Sequence, residues 1–365
     1  VRRVAALLAA AVLALGAAPV LAQEAARADP APRADHHMHI QSKLITDQLR
    51  AMQAAEPDIF DGIAADLFAE RTGADALREL DRAGIDKGVL LSTGYMFGFS
   101  AVPMEPAVRA ERMRAENRFN VDAALASKGR LFAFVGINPF APNALDELDY
   151  WSRQPGASGV KLHLGNSGFD TANAEQVEAL GHFFAAANKA RMPLVVHLRG
   201  AAPFYAAGVN IFIDRVVAQA GDLPIQIAHG GGYAGIDQPT LDALAVYGDA
   251  IARKAPGTAR LVLDISAVMQ FDPAKLPGAG KSTETRTHDE MRAAYVAGMR
   301  KTGLDRFVLA SDWPALASPA EYFAREQTVL PVTPAEWTQL CGNLAPYLRP
   351  EWIRTREARR RTLSR

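Results

Sequence analysis

Eight short apolar runs, each followed by a stretch with helical periodicity, constrain the fold of this chain more than any other feature of it. They are Ala34–Ile40, Ile85–Ser92, Leu131–Asn138, Gly159–Leu164, Leu194–Leu198, Ile225–His229, Arg260–Ile265 and Arg306–Ser311. Several are near-continuous in branched residues, such as Leu194-Val195-Val196 and Leu261-Val262-Leu263, the pattern of strands covered on both faces by helices. Amphipathic stretches separate them at Ser42–Ala54, Ala74–Ala83, Glu105–Lys128, Asn143–Arg153, Ala174–Arg191, Asn210–Ala220, Thr240–Lys254 and Asp289–Thr302. Strand and helix in strict alternation predict repeated βα units on a parallel sheet. An open, doubly wound sheet would want a Gly-rich turn after the first strand, and the sequence has none there. The expected fold is therefore α/β, a single-domain (β/α)8 TIM barrel over residues 33–348.

Extra C-terminal helices follow the eighth run. Ser318-Pro319-Ala320-Glu321 and Thr333-Pro334-Ala335-Glu336 each put a hydroxyl at the N-cap, Pro at the first helical position and Glu at the third. Beyond them, residues 349–365 hold Arg354, Arg356, Arg359, Arg360, Arg361 and Arg365, and the sequence reads there as a solvated, Arg-rich tail without a partner. Three connections are longer than simple turns: Glu56–Thr72, Tyr95–Pro106 with Tyr95, Phe97 and Phe99, and Ala267–Thr287 with Phe271, Lys281 and His288. Such βα loops are expected to wall a pocket or cover it.

At the other end, Arg2 and Arg3 precede an uncharged run from Val4 to Ala22 that closes on Pro19-Val20-Leu21-Ala22. This is the pattern of a secretory signal over residues 1–22, cleaved after Ala22. Gly16 and Pro19 interrupt the run, leaving it shorter than the roughly 20 apolar residues of a membrane span. Residues 23–32 read as a flexible leader. Cys341 is the sole cysteine, which excludes an intrachain disulfide and a thiolate metal cage. Export without disulfides suits a bacterial periplasm, and a formal net charge of +0 offers no field for nucleic acid. No stable membrane anchor is expected after cleavage, and the expected partner is a small-molecule substrate.

The chemistry concentrates at the ends of the runs. In Asp35-His36-His37-Met38-His39 the period of two sends His37 and His39 to one side of a strand, with His36 and Met38 on the other. Alone, such a pair is either a polar loop or half of a metal site. His197 ends the fifth run, His229 the sixth, and Asp312 follows the eighth. In a barrel all these ends form one face, the face that carries active sites. Lys161 and His163 share a face of the fourth run, and Arg199 shares the parity of His197.

His-x-His on strand 1, His at the ends of strands 5 and 6, and Ser311-Asp312-Trp313-Pro314 after strand 8 resemble the amidohydrolase superfamily, specifically its amidohydrolase-related branch. Gly159-Val160-Lys161-Leu162-His163 and Leu263-Asp264-Ile265-Ser266 look like the same branch, and the resemblance runs from Asp35 to Gly342-Asn343-Leu344-Ala345. It implies one divalent metal ion, zinc by donor type, bound by His37, His39, His197 and Asp312. Asp312 would also move the proton from water to the leaving group, and His229 would face the substrate and hydrogen-bond its carbonyl oxygen as charge develops. Lys161 is either a bridge to a second metal, as in two-metal members, or an interior charge paired with a carboxylate. His163 and Arg199 are expected to read a substrate carboxylate. The implied activity is hydrolysis of an amide, ester or lactone carbonyl; the alternative is a metal-dependent lyase, a decarboxylase or hydratase of a small aromatic or dicarboxylic acid.

Overall fold

The computed structural model describes residues 29–57, 65–99, 101–201, 203–232, 235–270 and 285–364. The expected signal segment, its cleavage point and most of the leader lie outside the described residues, as do Phe271 and Lys281.

Eight strands pair in sequence order, all parallel: β1 (Ala34–Met38), β2 (Lys87–Leu91), β3 (Leu131–Gly136), β4 (Ala157–His163), β5 (Leu194–His197), β6 (Ile225–Ile227), β7 (Leu261–Asp264) and β8 (Phe307–Val308). The sheet closes on itself through β1. His36 N donates to Leu309 O at 3.2 Å, Asp312 N to His37 O at 2.8 Å and His39 N to Trp313 O at 2.6 Å. The result is the expected single-domain barrel, with nearly every strand residue buried.

Helices run between the strands: α1 (Lys43–Ala55), α2 (Gly73–Ala83), α3 (Pro106–Ala126), α4 (Ala144–Arg153), α5 (Ala174–Ala190), α6 (Tyr205–Ile211), α7 (Gln238–Ala252) and α8 (His288–Thr302). The sequence places the sixth at Asn210–Ala220, but it begins at Tyr205 and passes through a π turn over Phe212–Val216. The buried residues Val209, Ile213, Val217 and Ala220 continue through that turn on one face. Then come α9 (Pro319–Val329), α10 (Pro334–Gly342) and α11 (Pro350–Leu363). Thr333 forms the full expected capping box with Glu336, whereas Ser318 accepts from Glu321 N and donates to the Glu321 side chain.

Two expectations are corrected here. Residues 349–364 are not a solvated tail: α11 buries Trp352 and Arg356, one turn apart on a single face. Arg356 Nη2 donates to Ser152 O at 2.9 Å and Ala157 O at 3.2 Å, tying the end of α4 to the start of β4. Arg191 and Arg260 lie over the Trp352 ring at 4.8 and 5.2 Å. Phe97 and Phe99, expected on a loop over the pocket, are buried with Ile45, Leu49 and Met52 in a satellite core between α1 and the segment after β2. Their rings anchor that loop to the barrel.

Candidate active site

The strand ends converge on a cluster of imidazoles and carboxylates. His37 and His39 leave β1 on the same side, as the period of two requires, and His36 leaves on the other. There His36 Nδ1 lies 2.9 Å from Leu309 O, and Ala345 N donates to Nε2 at 3.1 Å. His36 is a structural tie between strands and C-terminal segment. Asp35 has the same kind of role, accepting from Ser311 N at 3.0 Å and His37 N at 3.2 Å.

The backbone is bent to aim the remaining groups inward. His229 follows β6 with φ 54°, Ala267 follows β7 with φ 63° and Asp312 follows β8 with φ 58°. Left-handed conformations at non-glycine residues cost on the order of 1–3 kcal/mol each and persist where the surroundings over-determine them. Here they stand at three neighbouring strand ends.

Hydrogen bonds then assign the protons. His37 Nδ1 lies 3.2 Å from Asp264 Oδ2, and His39 Nδ1 lies 2.6 Å from Leu91 O. A carboxylate and a carbonyl only accept, so both Nδ1 atoms carry hydrogen and both Nε2 atoms are turned toward the site. Both Nε2 atoms meet at one carboxylate: Asp312 Oδ1 is 3.4 Å from His37 Nε2 and 3.1 Å from His39 Nε2. Burial, with the Lys161 ammonium adding to it, pulls His37 down to about 3, so His37 shares no proton with Asp312 at neutral pH. A neutral His37 Nε2 and the Asp312 carboxylate are both acceptors, and they repel each other unless a cation lies between them. The 3.4 Å from His37 Nε2 to Asp312 Oδ1 matches the edge of a tetrahedron, about 3.3–3.4 Å for ligand bonds of about 2.0–2.1 Å, and the 3.1 Å from His39 Nε2 is slightly shorter. These residues fit a divalent metal.

Asp264 is the group that sequence reasoning left out of the site. It is fully buried and accepts from Gln226 Nε2 at 2.7 Å, His229 N at 3.0 Å, Ser266 N at 3.2 Å and Ser266 Oγ at 2.6 Å, besides His37. Gln226 is held in turn by the Tyr347 hydroxyl. His37, His229 and Asp264 lie close enough to share an ion, but the Asp264 lone pairs are already spent on these donors. Its part is to orient His37, as carboxylates behind metal-binding histidines do. Burial works to raise its pKa; the contacts of His37, His229 and Ser266 outweigh this and hold it below the usual carboxylate range.

His37, His39 and Asp312 form a compact set with all ligand atoms within 4.8 Å; His197, the fourth ligand expected, is in neither compact group. Its ring stands 4.2 Å from that of His163, its partner in the β4–β5 register, and 4.7 Å from that of His229. His229 in turn lies 4.7 Å from His37, so the four rings are contiguous across the mouth. Burial keeps His163, His197 and His229 below their ordinary pKa, hence neutral.

His229 Nδ1 lies 3.2 Å from Ser266 O and 2.9 Å from Ser266 Oγ. The carbonyl makes Nδ1 the protonated nitrogen, so Nε2 accepts first and donates to a carbonyl oxygen only after gaining a proton. Tyr95, from the segment after β2, lies over His163 at 4.8 Å. Arg199, two residues past His197, is half-buried. Lys161 is buried one layer below His163, and its Nζ has no hydrogen-bond partner among the described residues. Burial draws it down to about 8 while Asp264 and Asp312 hold it up.

A family model described as Amidohydrolase matches residues 34–343. No curated protein matches the chain by sequence. Among solved structures, 5-carboxyvanillate decarboxylase from Sphingomonas paucimobilis is similar at 15% identity and TM-score 0.56, over 86% of this chain and 97% of that one. An amidohydrolase from Burkholderia multivorans with bound zinc is similar at 16% and 0.54, over 86% and 96%. A protein named as a candidate 2-pyrone-4,6-dicarboxylic acid hydrolase from Pseudomonas putida is similar at 18% and 0.53, over 89% and 97%. At these identities the likeness is one of fold.

Proposed function

The chain belongs to the amidohydrolase family, and from that premise we propose that it is a metal-dependent hydrolase acting on an amide, ester or lactone carbonyl of a small molecule. The observation that carries the reading is the convergence of His37 Nε2 and His39 Nε2 on Asp312 Oδ1 at 3.4 and 3.1 Å. In this reading those residues and His197 hold one divalent ion, zinc being the choice for imidazole nitrogens with a single carboxylate. When bound, the ion polarises a carbonyl and lowers the pKa of a coordinated water toward about 7.

The chain's own residues divide the remaining work. Asp312 accepts the proton of the attacking water and returns it to the leaving group. His229, neutral with a lone pair on Nε2, takes a proton from solvent before the attack, donates that hydrogen to the oxygen on which charge develops, and retains it when the carbonyl re-forms. His163 and Arg199 bind a substrate carboxylate at the rim. Lys161 serves as an interior ammonium facing Asp264 and Asp312 rather than as a bridge between two ions.

A second reading, a decarboxylase or hydratase of a small aromatic or dicarboxylic acid, draws on the same His229 geometry. In decarboxylation the C–CO2 bond breaks, its electron pair stays on carbon, and an imidazolium supplies the proton that carbon takes. The fold relatives include both a decarboxylase and a protein named as a candidate hydrolase. The zinc-loaded protein, offered esters, lactones, amides and aromatic acids, separates the readings. Acid release without CO2 supports hydrolysis, whereas CO2 from an aromatic acid with no turnover of the acyl substrates replaces it with the lyase.

A further inference from the structure

After β7 the chain turns through Ser266 and Ala267, whose φ of 63° is left-handed. Ser266 gives His229 both of its Nδ1 acceptors, at 3.2 and 2.9 Å. The placement of His229 therefore depends on a strained turn, and something must hold it. The grip comes from α9. Ala267 N, fully buried, donates to the Tyr322 hydroxyl at 2.9 Å. Three residues on, Gln270 Nε2 donates to Tyr322 O at 3.0 Å and Glu326 Oε2 at 2.9 Å. Arg292 Nε of α8 donates to Met269 O at 2.7 Å. Gly235 N donates to Ala267 O at 3.2 Å from the opposite side.

We propose that Tyr322, which lies outside the catalytic cluster, is a positioning residue of this site: its hydroxyl pins the Ala267 amide, and through Ser266 fixes His229 in the Nδ1–H tautomer. This rests on the reading of His229 as the group that handles the proton. Removing the hydroxyl leaves a buried N–H without an acceptor next to a strained φ, and the turn relaxes. Ser266 then moves off Nδ1, and the imidazole samples both tautomers. Of these only the Nδ1–H form presents a lone pair at Nε2.

The test is a long-range 1H–15N correlation spectrum of the full chain labelled at histidine nitrogen, with the His229 signals assigned by their loss in His229→Asn. The spectrum needs no substrate, so its outcome is independent of whether hydrolysis or a lyase reaction is the right activity. Wild type is expected to show His229 as pure Nδ1–H. Tyr322→Phe is expected to show averaged or Nε2–H shifts with metal content unchanged, and kcat lowered about 10- to 100-fold at constant KM. A pure Nδ1–H signature in Tyr322→Phe overturns the proposal. If that variant does not fold, the same change is made in an Ala267→Gly background, where glycine takes the left-handed turn without strain but holds nothing. There the single variant should keep the tautomer and the double variant lose it; retention in the double variant overturns the proposal equally.

Discussion

At the scale of single residues, the function of His37 is decided by its back side. Asp264 accepts a hydrogen bond from Nδ1–H at 3.2 Å, which leaves Nε2 as the nitrogen able to bind a metal. Asp264→Asn keeps the size but can turn its amide N–H toward Nδ1, so zinc affinity measured against a competing chelator should fall about 10- to 100-fold. Wild-type affinity in that variant would mean that Asp264 does not orient the ligand. His229 is expected to separate from the ligands: His229→Asn should retain the metal and lose about 10²–10³-fold in turnover. A metal-free His229→Asn would make His229 a ligand. The histidines themselves were legible in the sequence because each follows an apolar run and the barrel gathers those ends. Asp264 was not singled out because one carboxylate ending a strand has no spacing partner. Its importance comes from Gln226, Ser266 and His229, all distant in sequence or set by the turn.

At the scale of elements, α9 and α11 carry what composition concealed. Burial pushes the Glu326 carboxyl on α9 up to about 8 from 4.5, against Gln270, Arg292 and Arg325, which lower it. The folded chain thus keeps a proton that the unfolded chain releases above pH 4.5. The stabilisation is complete below that pH and is lost as pH rises through about 8. Urea unfolding from pH 5 to 9 should therefore show a decline that Glu326→Gln flattens, with the variant more stable at pH 9 by on the order of a few kcal/mol. Parallel curves for the two proteins would place the proton elsewhere. In α11, Arg356→Met should cost about 2–3 kcal/mol, because the Ser152 and Ala157 carbonyls lose their donor. The sequence suggested a tail there because arginines outnumber apolar residues. Only Trp352 and Arg356, one turn apart, are buried in its docking. The strands were legible for the opposite reason: their apolar runs are long, branched and bounded.

At the scale of the whole molecule, the barrel brings to one mouth residues from Asp35 to Asp312 and braces them with helices that follow the eighth strand. We also propose that the protein is exported with Gln23 as the mature N-terminus, on the strength of Val20 and Ala22 at the cleavage subsites. N-terminal sequencing from a periplasmic extract should return Gln23, and an intact first segment would end that proposal. No helix among the described residues is long and apolar enough to cross a membrane. The central claim is that the barrel mouth holds a single ion between His37, His39, His197 and Asp312. It is tested by metal analysis of the full chain, loaded with zinc and desalted, beside His39→Ala. One equivalent in the wild type and none in the variant is the expected result. A His39→Ala protein that retains the full equivalent, or a wild type that retains none, would contradict it.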